Sequence, residues 1–144
     1  MIRASVAHAA LLATMHKIGF KVPWSEKDMV ETLSMPGTFA FLLEEKTPCG
    51  YLIGRIAADE TEILSVMVTP PFRRQGLGRR LLDAAIEESR RKGASMIFLE
   101  VDSQNFNAQA VYEKAGFYTV GLRPRYYGDS DAFILRKDIG NPLP

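Results

Sequence analysis

The sequence predicts a single α/β domain with a mixed sheet and flanking helices, on three observations. The chain has 144 residues and is 47 % apolar, which suits one ordinary core and is too short for two. From Glu62 onward the pattern alternates strand, helix, strand and helix, a βαβ order that makes the two strands parallel. The intervening helix carries a continuous apolar stripe. We expect the domain to cover residues 1–140, with a loose tail over 141–144.

The first half of the chain predicts two helices followed by three strands. A helix over about 7–18 is indicated by four apolar residues at helical spacing, Leu11, Leu12, Met15 and Ile18. In the segment SEKD, Ser25 is a good N-cap and acidic residues follow in the first turn, so a short second helix begins there. Strands are expected at three runs separated by turn-forming residues, 39–43, 51–57 and 62–68.

The second half begins where the third strand stops, because Pro70 and Pro71 cannot donate to a strand ladder. A long helix over 76–92 is expected next, with Gly93 as its C-cap. Its inward-facing residues are expected to be Leu77, Leu81, Leu82, Ala85, Ile86 and Ser89. The remaining elements are a strand over 96–101, a helix over 108–114 that Gly116 ends, and strands over 119–122 and 132–136.

Charge and cysteine content restrict the classes of partner. Eighteen basic residues against seventeen acidic ones leave a formal charge of +1, so the chain has no overall attraction to nucleic acid or to an anionic membrane. No run approaches the roughly 20 apolar residues of a membrane span, and no signal-peptide cleavage site is evident. Cys49 is the one cysteine and has no metal-ligand spacing around it. We therefore expect a cytoplasmic protein without a metal, whose oligomeric state stays open.

The segment PFRRQGLG, residues 71–78, has the composition of an anion-binding loop. Amides at the start of a helix lack partners and the helix dipole adds partial positive charge, while Gly76 and Gly78 allow close approach to the main chain. Gly78 is followed by Arg79 rather than the lysine of a P-loop, and the third glycine of a dinucleotide fingerprint is replaced by Leu81. Phosphate is the natural ligand, but neither nucleotide motif is present.

A purely structural interpretation of these charges is the alternative. Three pairs, Arg79 with Asp83, Glu87 with Arg91 and Glu88 with Lys92, have the i,i+4 spacing of a salt-bridged outer face, each pair worth about 0.3 kcal/mol. That interpretation suits residues 90–92. It does not explain two glycines at a helix start, where each costs about 1 kcal/mol relative to alanine, so residues 73–79 are expected to bind a ligand.

The motifs together resemble one known family. RRQGLG after a strand is similar to the pyrophosphate-binding segment of the GNAT N-acetyltransferases. The resemblance extends over nearly the whole chain through further segments, namely PWSEKD at 23–28, FLEV at 98–101, Asn105, VYEKAGF at 111–117 and RPRYYGDSDAFIL at 123–135. Within the family, the chain resembles the ribosomal-protein-alanine N-acetyltransferase (RimI-type) branch. One departure is Ser65, where the branch usually has Asn.

The resemblance implies a GNAT fold, with a central sheet of six to seven strands whose parallel pair is splayed, and acetyl-CoA as co-substrate. Main-chain groups of Val66, Met67 and Val68 would contact the pantetheine and the thioester carbonyl. The pyrophosphate would lie against the segment Arg74, Gln75, Gly76, Leu77, Gly78 and Arg79, and Asn105 would bond the CoA arm. The cofactor arm would lie between the splayed strands like an extra strand.

Two residues are candidates for proton transfer. Glu100 is the one charge in an apolar strand, and partial burial strengthens a carboxylate as a base; its alternative is a strand-end glutamate that reaches water. By resemblance, Tyr112 would lie beside the cofactor and protonate the departing thiolate; its alternative is core packing with a wet hydroxyl. His8 and His16 are expected to be surface or satisfied core groups.

The acceptor is the least determined part of the function. Trp24, Tyr126 and Tyr127 resemble the substrate-side residues of the family and would suit an extended N-terminal peptide, although ordinary packing explains them equally well. The expected activity is acetyl transfer, in a ternary complex, to the N-terminal alanine of a small-subunit ribosomal protein. Other protein N-termini or a small amine are the nearest alternatives, and a non-catalytic phosphate- or RNA-binding module is a more distant one.

Overall fold

The computed structural model describes residues 1–124, 128 and 130–140, and its elements follow the expected order. The described residues form four α-helices: α1 Ala9–Gly19, α2 Glu26–Ser34, α3 Leu77–Arg91 and α4 Phe106–Lys114. They also form seven strands: β1 Ile2–Arg3, β2 Thr38–Glu44, β3 Pro48–Ala57, β4 Glu60–Val68, β5 Met96–Asp102, β6 Tyr118–Arg123 and β7 Ala132–Asp138. The tail expected over 141–144 lies outside the described residues.

The strands make one mixed sheet in the order β1-β2-β3-β4-β5-β7-β6. Every neighbouring pair is antiparallel except β4 and β5, which are parallel as the βαβ order predicts. The predicted fold class and strand number are therefore confirmed. The short strand β1, which pairs Ile2 with Leu42, was not predicted because two residues carry no periodic signal.

Helices pack on both faces of the sheet and make two cores. The larger core lies between the sheet and α3, and all six residues of the predicted α3 stripe are buried. The smaller core lies under α1 and α2 and includes Leu12, Met15, Met29 and Met67. Ser25 caps α2 as expected, with its side chain and that of Asp28 bonded to each other's backbone N–H groups.

Two details of the helical patterns were predicted wrongly. Ile18 was assigned to the inward stripe of α1, but it is 57 % exposed because the inward positions are Leu12, Met15 and His16. Glu88 was assigned to an outer i,i+4 pair on α3, but it is buried. Its carboxylate instead accepts two hydrogen bonds from Arg3 on β1, at 3.1 and 2.7 Å, and pairs with Arg91.

The buried Glu88 carboxylate should make the stability of the fold sensitive to acid. Hydrogen bonds from Arg3, and then from Arg91, lower the pKa of Glu88 from its ordinary 4.5 to about 2. A depressed folded-state pKa contributes stability above the unfolded value, and that stability is lost as the pH falls through the folded value. We expect the Tm to fall as the pH goes from about 4.5 to 2, and Glu88→Gln to lower the Tm at pH 7 and flatten this part of the profile.

Differential scanning calorimetry across this pH range measures the effect. Glu87→Gln is the matched control, because Glu87 lies next to Glu88 on α3 and is exposed. An equal flattening by both substitutions would contradict a specific contribution from Glu88.

Candidate active site

The sheet opens between its two parallel strands. β4 and β5 pair only through Glu60 with Met96, Thr61 with Ile97 and Glu62 with Phe98. Beyond this point β4 stays paired to β3 as far as Val68, and β5 stays paired to β7 as far as Asp102. Among the described residues, the inner edges of both strands, over 63–68 on β4 and 99–102 on β5, therefore have no strand partner, so the expected splay is present.

A β-bulge explains why the strands separate there. Ile53 on β3 lies opposite Ser65, but the next residue, Gly54, lies opposite Ile63, so Leu64 is an extra residue in β4. A bulge bends its strand and increases the local twist. Because Leu64 follows the last β4–β5 pair by two residues, the bend directs the end of β4 away from β5.

The main chain at the end of β4 borders this opening. Val66, Met67 and Val68 pair with β3 on one side only. The side chains of Val66 and Val68 pack toward the larger core, and that of Met67 packs into the smaller one. The Val68 carbonyl also accepts a 2.9 Å hydrogen bond from the guanidinium Nε of Arg73, a contact that the sequence did not predict.

Helix α3 begins directly beyond this strand end with uncapped backbone amides. Gly76 is its N-cap in a left-handed conformation, φ 75°, and no side chain accepts from the first turn. Arg74 is also left-handed, φ 64°, which costs a non-glycine residue of the order of 1 kcal/mol. A helix start with uncapped amides and left-handed residues before it has the backbone features with which proteins bind anions.

Packing within the protein does not account for the glycines of this loop. A Cβ atom built on Gly76 would meet no heavy atom within 4 Å, and one on Gly78 would meet only a Val68 methyl at 3.9 Å. The positive φ requires a residue such as glycine at position 76, but nothing requires one at 78. The bare backbone at Gly78 is therefore free for contact with a ligand.

The charged and polar side chains of this loop are exposed, and several of them contact neighbouring residues. The Nε of Arg79 bonds Asp83 at 2.9 Å, as the i,i+4 spacing predicted. Arg80 lies 3.9 Å from Glu45, and the amide nitrogen of Gln75 is 3.5 Å from the Pro71 carbonyl. The charges of Arg79 and Arg80 therefore face carboxylates, whereas no side chain caps the main-chain amides at the start of α3.

Glu100 lies on β5 beside the opening. Its neighbours Leu99 and Val101 are buried in the larger core, so by strand alternation Glu100 faces the other side of the sheet, which α1 and α2 cover. The side chain is 22 % exposed and its Oε1 is 2.9 Å from a guanidinium nitrogen of Arg123 at the end of β6. This ion pair fixes the carboxylate, and no residue spacing in the sequence predicts it.

The segment after β5 holds the other two predicted residues. Asn105 is the N-cap of α4, where its Oδ1 accepts the Ala108 N–H at 3.2 Å, and its side-chain NH₂ keeps two donors. Tyr112 is half-buried on α4, with its ring 6.0 Å from that of Phe117 against the larger core. Asn105 thus has a structural role that the sequence analysis did not assign.

An aromatic stack lies between α1 and α2. The His16 ring lies between the Phe20 ring at 4.1 Å and the Trp24 ring at 4.8 Å. Its Nδ1 accepts the backbone N–H of Trp24 at 3.1 Å, and burial lowers the pKa of the imidazole. His16 is thus a satisfied core group, one of the two expected alternatives, while Tyr126 and Tyr127 lie outside the described residues.

Ser65, the position where the sequence departs from the RimI-type pattern, lies inside the protein. Ser65 is buried in the bulge of β4, and its hydroxyl is 2.8 Å from that of Tyr51 in the smaller core. Burial raises the pKa of Tyr51, so this pair is a neutral hydrogen bond.

Over residues 1–124, 128 and 130–140, no three His, Cys, Asp or Glu side chains are grouped as metal ligands, and no helix is long and apolar enough to cross a membrane.

Comparison with known sequences adds an independent line of evidence. A family model described as the acetyltransferase (GNAT) family matches residues 10–117. The chain is 33 % identical over 121 residues to the ribosomal protein bS18-alanine N-acetyltransferase of Escherichia coli, covering 81 % of this chain and 82 % of that protein. It is also 38 % identical over 92 residues to the N-alpha-acetyltransferase RimI of Mycobacterium tuberculosis, covering 62 % and 56 %.

Solved structures agree with the sequence comparison. The crystal structure of the E. coli ribosomal-protein-alanine N-acetyltransferase superposes with a TM-score of 0.87 at 27 % identity, covering 99 % of this chain and 98 % of that one. A chain of the NatC complex bound to Gag peptide and CoA superposes with a TM-score of 0.83 at 20 % identity, covering 95 % and 97 %. The second likeness is one of fold.

Proposed function

Because this chain belongs to the acetyltransferase (GNAT) family, it is an acetyl-CoA-dependent N-acetyltransferase, and we propose that its acceptor is a protein N-terminus, the N-terminal alanine of a small-subunit ribosomal protein. The observation that carries this proposal is the opening between β4 and β5, which has an anion site at one end and Glu100 beside it. The 33 % identity to an enzyme named for that acceptor supports the choice. An acceptor of this kind would place the protein in the cytoplasm.

The proposed cofactor site has two parts. The uncapped amides from Gly76 to Arg79 bind the pyrophosphate, with Arg74 and Gln75 at its edge. The unpaired edge of β4 over Val66–Val68 binds the pantetheine arm and the thioester carbonyl through main-chain groups, in the way that an added strand pairs with a sheet edge. The side-chain NH₂ of Asn105 remains available to the same arm.

Glu100 is proposed as the general base. The acceptor ammonium gives a proton to its carboxylate, directly or through one water, and the neutral nitrogen then attacks the thioester carbon. An α-amino group of pKa about 7.7–8.0 costs only about 1 kcal/mol to deprotonate at pH 7, whereas a lysine at about 10.4 costs nearly 5. A single carboxylate therefore suffices for a protein N-terminus.

Tyr112 is proposed as the general acid. When the tetrahedral intermediate collapses, the carbon–sulfur bond breaks and Tyr112 donates its hydroxyl proton to the departing thiolate. The attacking nitrogen loses its second proton as the intermediate collapses, and this proton, relayed through water, restores the Tyr112 hydroxyl. The products are the acetylated amine and free CoA, and the proton held by Glu100 returns to solvent. Trp24 borders the acceptor side in this proposal, and Tyr126 and Tyr127 remain predictions from the sequence.

An acceptor screen by mass spectrometry tests the function. The purified chain and acetyl-CoA are incubated with peptides that begin with the alanine end of a small-subunit ribosomal protein, with the same peptides N-formylated, with peptides that begin with other residues, and with small amines. We expect a 42 Da gain on the free alanine peptides only. Acetylation of other N-termini or of small amines alone would favour the nearest alternatives.

A binding experiment separates the enzyme from a phosphate- or RNA-binding module. A ligand that binds the native state raises the Tm, by an amount that grows with its concentration over Kd. Acetyl-CoA should therefore raise the Tm and a single-stranded RNA oligonucleotide should not. The opposite pattern would overturn the proposed cofactor site.

Gly78→Ala is expected to change stability and binding in opposite directions. Alanine is favoured over glycine within a helix, so the free protein gains up to about 0.5 kcal/mol. The added methyl lies where the pyrophosphate approaches the amides, and losing one such hydrogen bond raises the Kd for acetyl-CoA about tenfold. Thermal melting and isothermal titration calorimetry measure the two effects.

Arg90→Ala is the matched control, because Arg90 is exposed near the other end of α3. It changes helix propensity without approaching the loop, so the Kd should stay within twofold. An unchanged Kd in Gly78→Ala would mean that no ligand approaches the main chain at this position.

A further inference from the structure

The connection between α1 and α2 is held by a single imidazole. His16 is 3 % exposed, an unusual degree of burial for a histidine, and it is stacked between Phe20 and Trp24. Its backbone carbonyl accepts the Phe20 N–H at 3.1 Å, and its Nδ1 accepts the Trp24 N–H at 3.1 Å. One residue therefore bonds both the first residue after α1 and a residue just before the Ser25 cap of α2.

These contacts require the neutral form of His16. An Nδ1 that accepts a hydrogen bond carries no proton, so the ring is the tautomer protonated at Nε2. Protonation would put a second N–H against that of Trp24 and would place a charge between two aromatic rings in a buried site. Burial alone lowers the pKa of this imidazole, in agreement with this geometry.

The charged groups near this stack do not offset the lowering of the His16 pKa by burial. The titratable groups on the elements that pack against α1, or on α1 itself, are Lys17, Glu26, Lys27, Asp28, Glu31, His8 and, at the far end of β4, Glu60 and Glu62. All but His8 are exposed, Asp28 is bonded to the Ser25 N–H, and the Nδ1 of His8 accepts the Ser5 N–H. The facing strand β4 contributes the uncharged Met67 and Ser65 to this side.

The stack lies at the edge of the opening in the sheet. Gly19, at the end of α1, lies against Met67, so closely that a Cβ there would be 2.9 Å from the Met67 methyl. Met67 belongs to the end of β4 that borders the opening, and α1 packs on the same face of the sheet as the one toward which Glu100 points on β5. The connection from Phe20 to Ser25 thus forms a wall on the same side of the sheet as Glu100 and on the opposite side from α3.

We propose that His16 is a positioning residue for the acceptor: its neutral ring fixes Trp24 and this wall, and its protonation releases them. The inference rests on the proposed function, because the wall matters only if an acceptor approaches Glu100 from this side. The cofactor amides lie on α3, across the sheet, so loss of the His16 contacts weakens acceptor binding and leaves acetyl-CoA binding unchanged.

Two substitutions separate the hydrogen bond from the stack. His16→Asn keeps an acceptor atom near the position of Nδ1 and loses the aromatic ring, whereas His16→Phe keeps the ring and loses the acceptor. We expect His16→Phe to raise KM for an alanine-start peptide about tenfold, the cost of one buried hydrogen bond. His16→Asn should recover part of this loss, and the Kd for acetyl-CoA should stay within twofold in both variants.

Tryptophan fluorescence supplies a readout that needs no turnover. Trp24 is the one tryptophan of the chain, so its emission reports this stack alone. In the wild type we expect a change in emission as the pH falls below the ordinary histidine value of 6.5, because charging His16 alters the ring against the indole. Both His16 variants should lack this step, and His8→Gln should retain it.

The outcomes distinguish this inference from the proposed function. If the wild type acetylates no alanine-start peptide, the proposed acceptor is wrong, whatever the His16 variants do. If the wild type acetylates the peptide but His16→Phe leaves its KM unchanged, or raises the Kd for acetyl-CoA equally, the positioning role is overturned. An identical fluorescence titration in wild type and His16→Phe would likewise overturn it.

Discussion

Replacing Glu100 with glutamine is expected to lower kcat about 100-fold at pH 7, because the amide cannot accept the proton of the acceptor ammonium. The deficit should shrink as the pH rises through 8, where a growing fraction of an α-amino group is already neutral. KM for acetyl-CoA should change little, since Glu100 faces away from the α3 core and the loop amides. Steady-state kinetics with an alanine-start peptide over pH 6 to 10 measure all three quantities.

Glu62→Gln provides the matched control for Glu100→Gln. Glu62 is an exposed carboxylate on the neighbouring strand β4, opposite Phe98. The same chemical change there should leave kcat within twofold. A Glu100→Gln enzyme with the wild-type pH profile would show that another group takes the proton. The ion pair between Arg123 and Glu100 would then have a structural role only.

Replacing Tyr112 with phenylalanine is expected to lower kcat about 10- to 100-fold without weakening acetyl-CoA binding. The ring of Tyr112 packs beside Phe117 against the larger core, and phenylalanine preserves that packing. Only the proton donor is lost, so the step that slows is departure of the thiolate. Single-turnover kinetics and a direct Kd measurement separate the chemical step from binding.

Tyr118→Phe tests whether any lost tyrosine hydroxyl has the same effect. The Tyr118 hydroxyl donates a 2.6 Å hydrogen bond to Asp138 at the exposed edge of the sheet. Its removal should leave turnover unchanged. Weaker acetyl-CoA binding with normal turnover in Tyr112→Phe would instead assign Tyr112 to packing.

Local periodicity predicted most of the fold. The α3 stripe was predicted correctly in every position because it repeats over four turns, and the βαβ order determined the parallel pair. Ile18 was wrong because a short helix with apolar residues on several sides leaves its phase ambiguous. Glu88 was wrong because its partner Arg3 lies on a two-residue strand 85 positions away, which no helical spacing reveals.

Part of the candidate site was likewise predicted from local sequence, and part was not. Glu100 is distinctive in the sequence as a charge within an apolar strand, and the glycines of the 73–78 loop violate helix propensity where a helix begins. The splay was predicted only through the resemblance and the bulge at Leu64 was not predicted, because register depends on cross-strand pairing that the chain order does not encode. The His16 stack and the Arg123 ion pair were missed because they unite residues from separate elements.

The opening between β4 and β5 also has a mechanical consequence. Strands β1–β4 and β5–β7 are two blocks joined edge to edge by only three residue pairs, and otherwise through the core beneath α3, to which both blocks contribute. We expect such a sheet to deform more easily along this seam than elsewhere, and least on the side where α3 packs against both blocks. A ligand that hydrogen-bonds along the seam, as proposed for the pantetheine arm, would complete the ladder between the blocks, so the reacting molecule would itself stiffen the sheet.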